Sequence, residues 1–310
     1  MKITILKMIV FINVLFLTTC QLTAQNTFID LILGDMYGKS KLEVYEYLKS
    51  FPIKNDTGAF DSTFLEALKE ESMKAYEIVC LGSNGNGLLY LDEKESYGIC
   101  IYFYLGRAYR VTISGDWAWD SLLNELTARL GKAKIKKIKV ELMGVSFTNL
   151  YSWNTKDYKV EYHDGIAYPS SLEVIYKPIF TTIQKPVLKI FMQNGSGDLR
   201  PYQVEWSADS NNVTNACSSL YRLELLGNVK NLSFVIQCLN GNEVFRKDIP
   251  QSKGKKVILT YKDLPEGCEP IIIDNGEPNN SLYSTRYILK LLEGEYEHFS
   301  GSLYLDDCVD

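Results

Sequence analysis

Two histidines, His163 and His298, are the whole imidazole inventory of this 310-residue sequence, so any reaction needing an imidazole base must pass through one of them. His163 precedes Asp164, and the pair supplies two of the three residue types of a serine-hydrolase triad. Neighbours on a strand point to opposite faces, however, and no G-x-S-x-G elbow occurs anywhere in the chain. His298 stands between Glu297 and Phe299, again without a nucleophile motif. Both histidines are read as surface residues, neither is expected to be catalytic, and no catalytic residue is assigned.

Other chemistries lack their motifs. The loop Gly82-Ser83-Asn84-Gly85-Asn86-Gly87 offers glycine amides that can approach a phosphate closely. No Lys-Ser/Thr follows it and the next segment reads as a strand, so a surface hairpin loop is favoured and no cofactor is expected. Zinc is not expected either, because there is no C-x2-C or H-x3-H spacing. Asp274-Asn275-Gly276-Glu277, and Asp306 and Asp307 with Asp310, supply hard oxygens but lack the spacing of a calcium loop, so they read as a solvated turn and tail. A glycosidase needs only two carboxylates across a cleft, and 38 acidic residues keep that chemistry open.

Three features point to structure or binding rather than catalysis. Lys132, Lys134, Lys136, Lys137 and Lys139, interleaved with Ala133 and Ile135, suit an acidic partner or anionic headgroups. The preferred reading is an exposed edge strand or linker whose lysines oppose edge-to-edge aggregation. Trp117 follows the Ser114-Gly115-Asp116 turn and reads as an exposed aromatic, whereas Trp119 falls on a helix stripe and reads as core. Of seven cysteines, setting aside Cys20 leaves six, which allow 15 pairings. Cys80 and Cys100 are expected to pair, since no other cysteine lies in the domain expected over 26–181; Cys217, Cys238, Cys268 and Cys308 stay ambiguous.

A compartment that permits disulfides is suggested by the first two dozen residues. Lys2 and Lys7 precede the apolar run Met8 to Leu17, as in an export signal. Leu17-Thr18-Thr19-Cys20 resembles a bacterial lipobox, which would make Cys20 a lipidation site, and Leu22-Thr23-Ala24 before Gln25 resembles a signal-peptidase site. The leader resembles those of exported Bacteroidetes-type proteins, and implies export to the periplasm or outer membrane, with membrane attachment only through a lipid anchor at Cys20. Asp61-Ser62-Thr63 and Asp120-Ser121-Leu122 resemble O-glycosylation sites of such proteins; helix capping by Asp61 and a helix interior for Ser121 are the plainer readings. Removing residues 1–24 takes away two lysines and no acid, moving the formal charge from −5 to −7, so nucleic acid is not expected as a partner.

The elements that position these residues divide at Thr181 to Pro186. Ser40-Lys41-Leu42-Glu43 is a capping-box pattern opening a helix that Pro52 must end. Helices are also predicted over Asp61 to Tyr76 and Asp116 to Leu130, with strands from residue 77 to about 113 and from 150 to 176. The Gly-Lys-Ser-Lys-x-Glu-Val start followed by a hairpin resembles the small lipoproteins of the BamE type, which implies a scaffolding role rather than catalysis. Beyond Pro186, short strands separated by turns predict a β-sandwich, with a hairpin at Asn240-Gly241.

These readings give a signal peptide (1–24), an α+β domain with an antiparallel sheet and helices (26–181), and an all-β sandwich (186–310). The function expected is that of a secreted or outer-membrane-anchored, non-catalytic binding or assembly protein of the cell envelope. Its partner would be an envelope protein or glycan, met through Trp117, Lys132, Lys134 and Lys136. A periplasmic hydrolase using paired carboxylates is the alternative.

Overall fold

The computed structural model describes residues 27–49, 62–80, 89–92, 95–115, 119–141, 145–164, 170–193, 199–205, 219–238, 241–252, 257–260, 271–274, 281–284 and 286–304. These residues are mostly antiparallel sheet with few helices. They fall into two compact units: one of residues up to Glu71 with Ile78–Phe103 and Arg107–Thr181, the other of Ser72–Glu77, Tyr104–Gly106 and Thr182 onward.

In the first unit, apart from Tyr76, Glu77 and Tyr104 at strand ends, which belong to the second, helices α1 (Thr27–Leu33), α2 (Lys41–Leu48), α3 (Ser62–Lys69) and α4 (Trp119–Leu130) accompany strands β1 (Tyr76–Cys80), β2 (Leu89–Asp92), β3 (Glu95–Tyr104), β4 (Arg107–Gly115), β5 (Lys134–Glu141), β6 (Val145–Asn154), β7 (Tyr158–His163) and β8 (Ser170–Tyr176), with the short helix α5 (Lys177–Phe180) after them. The strands form one sheet ordered β1-β3-β4-β8-β7-β6-β5, with β2 also paired to β3. Alternation sets its faces. Val111, Val160, Tyr162, Leu172 and Val174 join one hydrophobic cluster with Ile29, Ile32, Val44, Leu48, Leu68, Leu122 and Leu126 of the helices.

The capping box opens α2 as its sequence predicts: the Ser40 amide donates to Glu43 Oε2 at 2.8 Å and the Glu43 amide to Ser40 Oγ at 3.3 Å. The Ser40 amide, and with it the Ser40 hydroxyl donating to Glu43 Oε2 at 2.9 Å, holds the Glu43 carboxyl below its usual range. Helix α3 is shorter than its periodicity suggests. It ends at Lys69, and Tyr76–Cys80 is strand, because pairing with β3 outweighs the helical spacing of a segment with few apolar anchors after Leu68.

In the second unit, β9 (Val187–Gln193), β10 (Leu199–Glu205), β11 (Ser219–Leu226) and β14 (Val257–Thr260) form a four-stranded sheet ordered β10-β9-β11-β14. A second is ordered β13-β12-β17-β18, from β12 (Lys230–Cys238), β13 (Glu243–Gln251), β17 (Arg286–Glu293) and β18 (Tyr296–Tyr304). Strands β15 (Ile271–Asp274) and β16 (Ser281–Ser284) pair with each other. Leu188, Leu223 and Leu225 of the first sheet share a buried cluster with Leu232, Phe234, Ile236, Leu289, Leu291 and Phe299 of the second. The predicted hairpin is present: β12 and β13 pair antiparallel, with Gly241 at φ +86° in the turn, a conformation glycine adopts without strain.

Candidate functional site

The lysine cluster lies on β5, at the end of the sheet order, where its only neighbour among the described residues is β6. Helix α4 stops at Gly131, whose amide donates to the Thr127 carbonyl at 2.9 Å, and the chain passes through Lys132 into the strand. The β5–β6 register runs unbroken from Lys134↔Ser152 to Glu141↔Val145. Lys132, Lys134, Lys136, Lys137 and Lys139 are all exposed, and Ile135 among them is 59% exposed. Among the described residues, Lys132, Lys134, Lys136 and Lys137 form no ion pair, in a chain whose formal charge is −5.

The register carries this charge onto a polar face. Lys134 pairs with Ser152, Ser152 with Glu161, Glu161 with Glu173, and Glu173 with Thr112, which makes one row across five strands on the face opposite the helices. Lys136 begins the next row, through Leu150, His163 and Ser171. Glu161 and Glu173 are thus carboxylates directly across from each other, the separation at which side chains interact strongly. Each is engaged by a cation: Lys159 stands 2.7 Å from Glu161, and Arg110 pairs with Glu173 while lying 4.5 Å over the Tyr102 ring.

A second polar cluster, not legible as a motif, is buried in the second unit. His298 Nε2 lies 2.8 Å from Glu293 Oε2, and the Tyr104 hydroxyl donates to the same oxygen at 2.6 Å. The Gln184 amide donates to the Tyr104 hydroxyl at 3.2 Å, and the Tyr76 hydroxyl donates to the Gln184 carbonyl. The Gln184 side chain accepts from the Lys230 amide at 2.6 Å and donates to the Lys230 carbonyl at 2.9 Å, as a neighbouring strand would. The Tyr76 ring meets the His298 ring edge-on at 5.4 Å between centroids.

Burial alone would raise the Glu293 carboxyl, but hydrogen bonds from His298, Tyr104 and Gln184 outweigh it and hold the group below its usual range. Burial, then the bond to Glu293, pushes the Tyr104 hydroxyl well above its ordinary value. The expectation of a surface histidine therefore fails for His298, which is only 6% exposed. A Glu-x4-His pair flanking Gly294 in a strand-turn-strand segment was the signal in the sequence. His163 ends β7 and is half-buried, with Ser171 and Leu150 as register partners.

Cys80 and Cys100 lie on neighbouring strands with their sulfurs at bonding distance. Cys238 is also disulfide-bonded. Trp117, Cys20, the Gly82–Gly87 loop, Asn275–Glu277, and the acidic residues Asp306, Asp307 and Asp310 lie outside the described residues. Among the described residues no group of three or more His, Cys, Asp or Glu is placed to hold a metal, and no helix is long and apolar enough to cross a membrane. Comparison with protein-family models, curated proteins and solved structures gives no match.

Proposed function

We propose that this chain is an exported, non-catalytic binding or assembly protein of the cell envelope, an α+β domain followed by a β-sandwich, with an envelope protein or glycan as partner. One observation carries the reading: β5, whose only neighbour among the described residues is β6, bears the exposed Lys134, Lys136 and Lys137, with Lys132 just before it, and none of these four has an ion pair among the described residues of a chain of net negative charge. Elsewhere among the described residues Lys39, Lys49, Lys159 and Lys290 do pair with carboxylates of the chain itself. A row left without such partners, held by a regular strand, is preorganised to meet charge supplied from outside. The leader, with its two processing patterns at Cys20 and before Gln25, supports the envelope location.

Affinity capture of the tagged protein from its own envelope tests this. A stoichiometric partner that is retained by the wild-type chain and lost with the triple variant Lys132→Glu, Lys134→Glu, Lys136→Glu is the expected result. Recovery of the same partner by that variant, folded and exported, would remove the lysine row from the argument.

The directly opposed Glu161 and Glu173 favour the hydrolase as the second reading. Both carboxylates are engaged by cations on their own sheet face, which suits a structural charge network better than an acid and base poised across a substrate. Single replacements Glu161→Gln and Glu173→Gln separate the two: loss of the cellular phenotype with stability intact supports the enzyme.

A further inference from the structure

The open edge and the lysine row belong to the same strand, and together they specify a mode of recognition. Eight consecutive residues of β5 pair with β6 without a bulge, and the segment Lys134–Glu141 contains no proline. Edge strands of soluble proteins are ordinarily blunted by bulges, prolines, short length or charge, and here charge alone does so. The amides and carbonyls on the outer side of β5, without a strand partner among the described residues, can accept a further strand, in the manner of peptide recognition by strand addition.

The side chains decide which strand it can be. Alternation places Lys134 and Lys136 on one face with Ile138, and Lys137 and Lys139 on the other with the exposed Ile135. A second copy in either nearly full-length antiparallel register would set like charges across the ladder, Lys137 opposite Lys137 in one and Lys137 opposite Lys139 in the other, and like charges directly opposed are destabilising. An incoming strand with acidic residues instead meets a lysine on either face, and an apolar residue among them meets Ile135 or Ile138. Each opposite-charge pair across a ladder adds only a small increment, so several are needed, and the row supplies several.

We propose that β5 is a docking edge for an extended acidic segment of another polypeptide, which joins the sheet as an added strand beside β5. This rests on the reading of the lysine row as the binding surface, and names the partner class and how it is held.

The test uses the purified mature protein and an eight-residue peptide alternating Glu with Val, with a Lys–Val peptide of the same length as control. Binding of the Glu–Val peptide alone is expected. It should weaken at least tenfold between 50 mM and 500 mM salt. Alternate amides of β5 should gain at least tenfold protection from hydrogen exchange, since only the outward-facing ones acquire partners. Lys134→Glu with Lys136→Glu should abolish binding while leaving the thermal midpoint within a few degrees.

Peptide binding with unchanged β5 exchange would overturn strand addition, as would equal binding of both peptides. Binding to vesicles of seven parts phosphatidylcholine and three parts phosphatidylglycerol, with none to the peptide, overturns the polypeptide class. If the peptide fails while envelope capture still depends on Lys132, Lys134 and Lys136, this inference falls and the broader binding role stands.

Discussion

His298 Nε2 and Glu293 Oε2 are 2.8 Å apart across the turn that joins β17 to β18, and the Tyr104 hydroxyl converges on the same oxygen at 2.6 Å. The histidine side chain is 1% exposed, and its Nδ1 is buried with no hydrogen-bond partner among the described residues. A carboxylate taking two donors on one oxygen is a tight junction, because moving either donor leaves a buried polar group unsatisfied. The junction orders Tyr104, Gln184 and the β17–β18 turn as one unit.

Replacing the two histidines should therefore have different outcomes. His298→Gln is expected to lower stability by about 1–3 kcal/mol, the usual result of breaking one partner of a buried hydrogen bond. His163→Gln, at a half-buried strand end, should stay within about 0.5 kcal/mol. Urea unfolding followed by tryptophan fluorescence measures both; an unchanged midpoint for His298→Gln would show that the junction contributes nothing net.

The same junction sets an acid limit. The folded Glu293 carboxyl sits below its usual range, whereas in the unfolded chain it titrates near pH 4.3 or so. The folded state thus binds the proton less readily. Its contribution to stability is complete above the unfolded value and is lost as pH falls through the lower, folded one. Stability measured from pH 6 down to pH 3 should fall less steeply for Glu293→Gln than for the wild type, with the curves converging at the acid end. Parallel curves would place the acid sensitivity elsewhere.

How far the sequence discloses the molecule depends on how local each feature is. The Ser40–Glu43 capping box and the β12–β13 hairpin are settled within a few residues, and both are present where the pattern puts them. The alternating lysines of β5 are an edge strand, one of the two readings their spacing allowed. The extent of α3 depended on whether Tyr76–Cys80 finds a strand partner, which no local pattern reveals. The buried junction was least legible of all: Tyr104 and Glu293 are 189 residues apart, and only the fold brings a tyrosine at the end of β3 to a carboxylate at the end of β17.

Gly106 offers a test of the β3–β4 turn. It has φ +70°, follows Leu105 at φ 48°, and a Cβ built on it would stand 2.6 Å from the Tyr296 hydroxyl oxygen. Two successive residues of positive φ make the tight turn that matches strand twist. Gly106→Ala should cost about 1–2 kcal/mol for the left-handed backbone, with more from the contact unless Tyr296 swings aside. Adding Tyr296→Phe removes the oxygen and should return only the contact part. If the double variant recovers full stability, the backbone contributes no cost.

Crosslinking gives the last prediction, and it separates the two units. Cys80 and Cys100 close a loop with a sequence separation of 20, on strands that are neighbours in the first unit's sheet. Constraining the unfolded chain over a loop of that length is worth about 3 kcal/mol. Cys80→Ser with Cys100→Ser should therefore lower stability by roughly that amount in a transition assigned to the first unit. Cys238 is bonded as well, and it ends β12 in the second unit, so its partner is expected among Cys217, Cys268 and Cys308. Non-reducing peptide mapping should show the Cys80 peptide joined to the Cys100 peptide, and the Cys238 peptide joined to one of those three. A Cys80–Cys238 crosslink would contradict both assignments at once, since it would tie together units whose disulfides are expected to be closed separately.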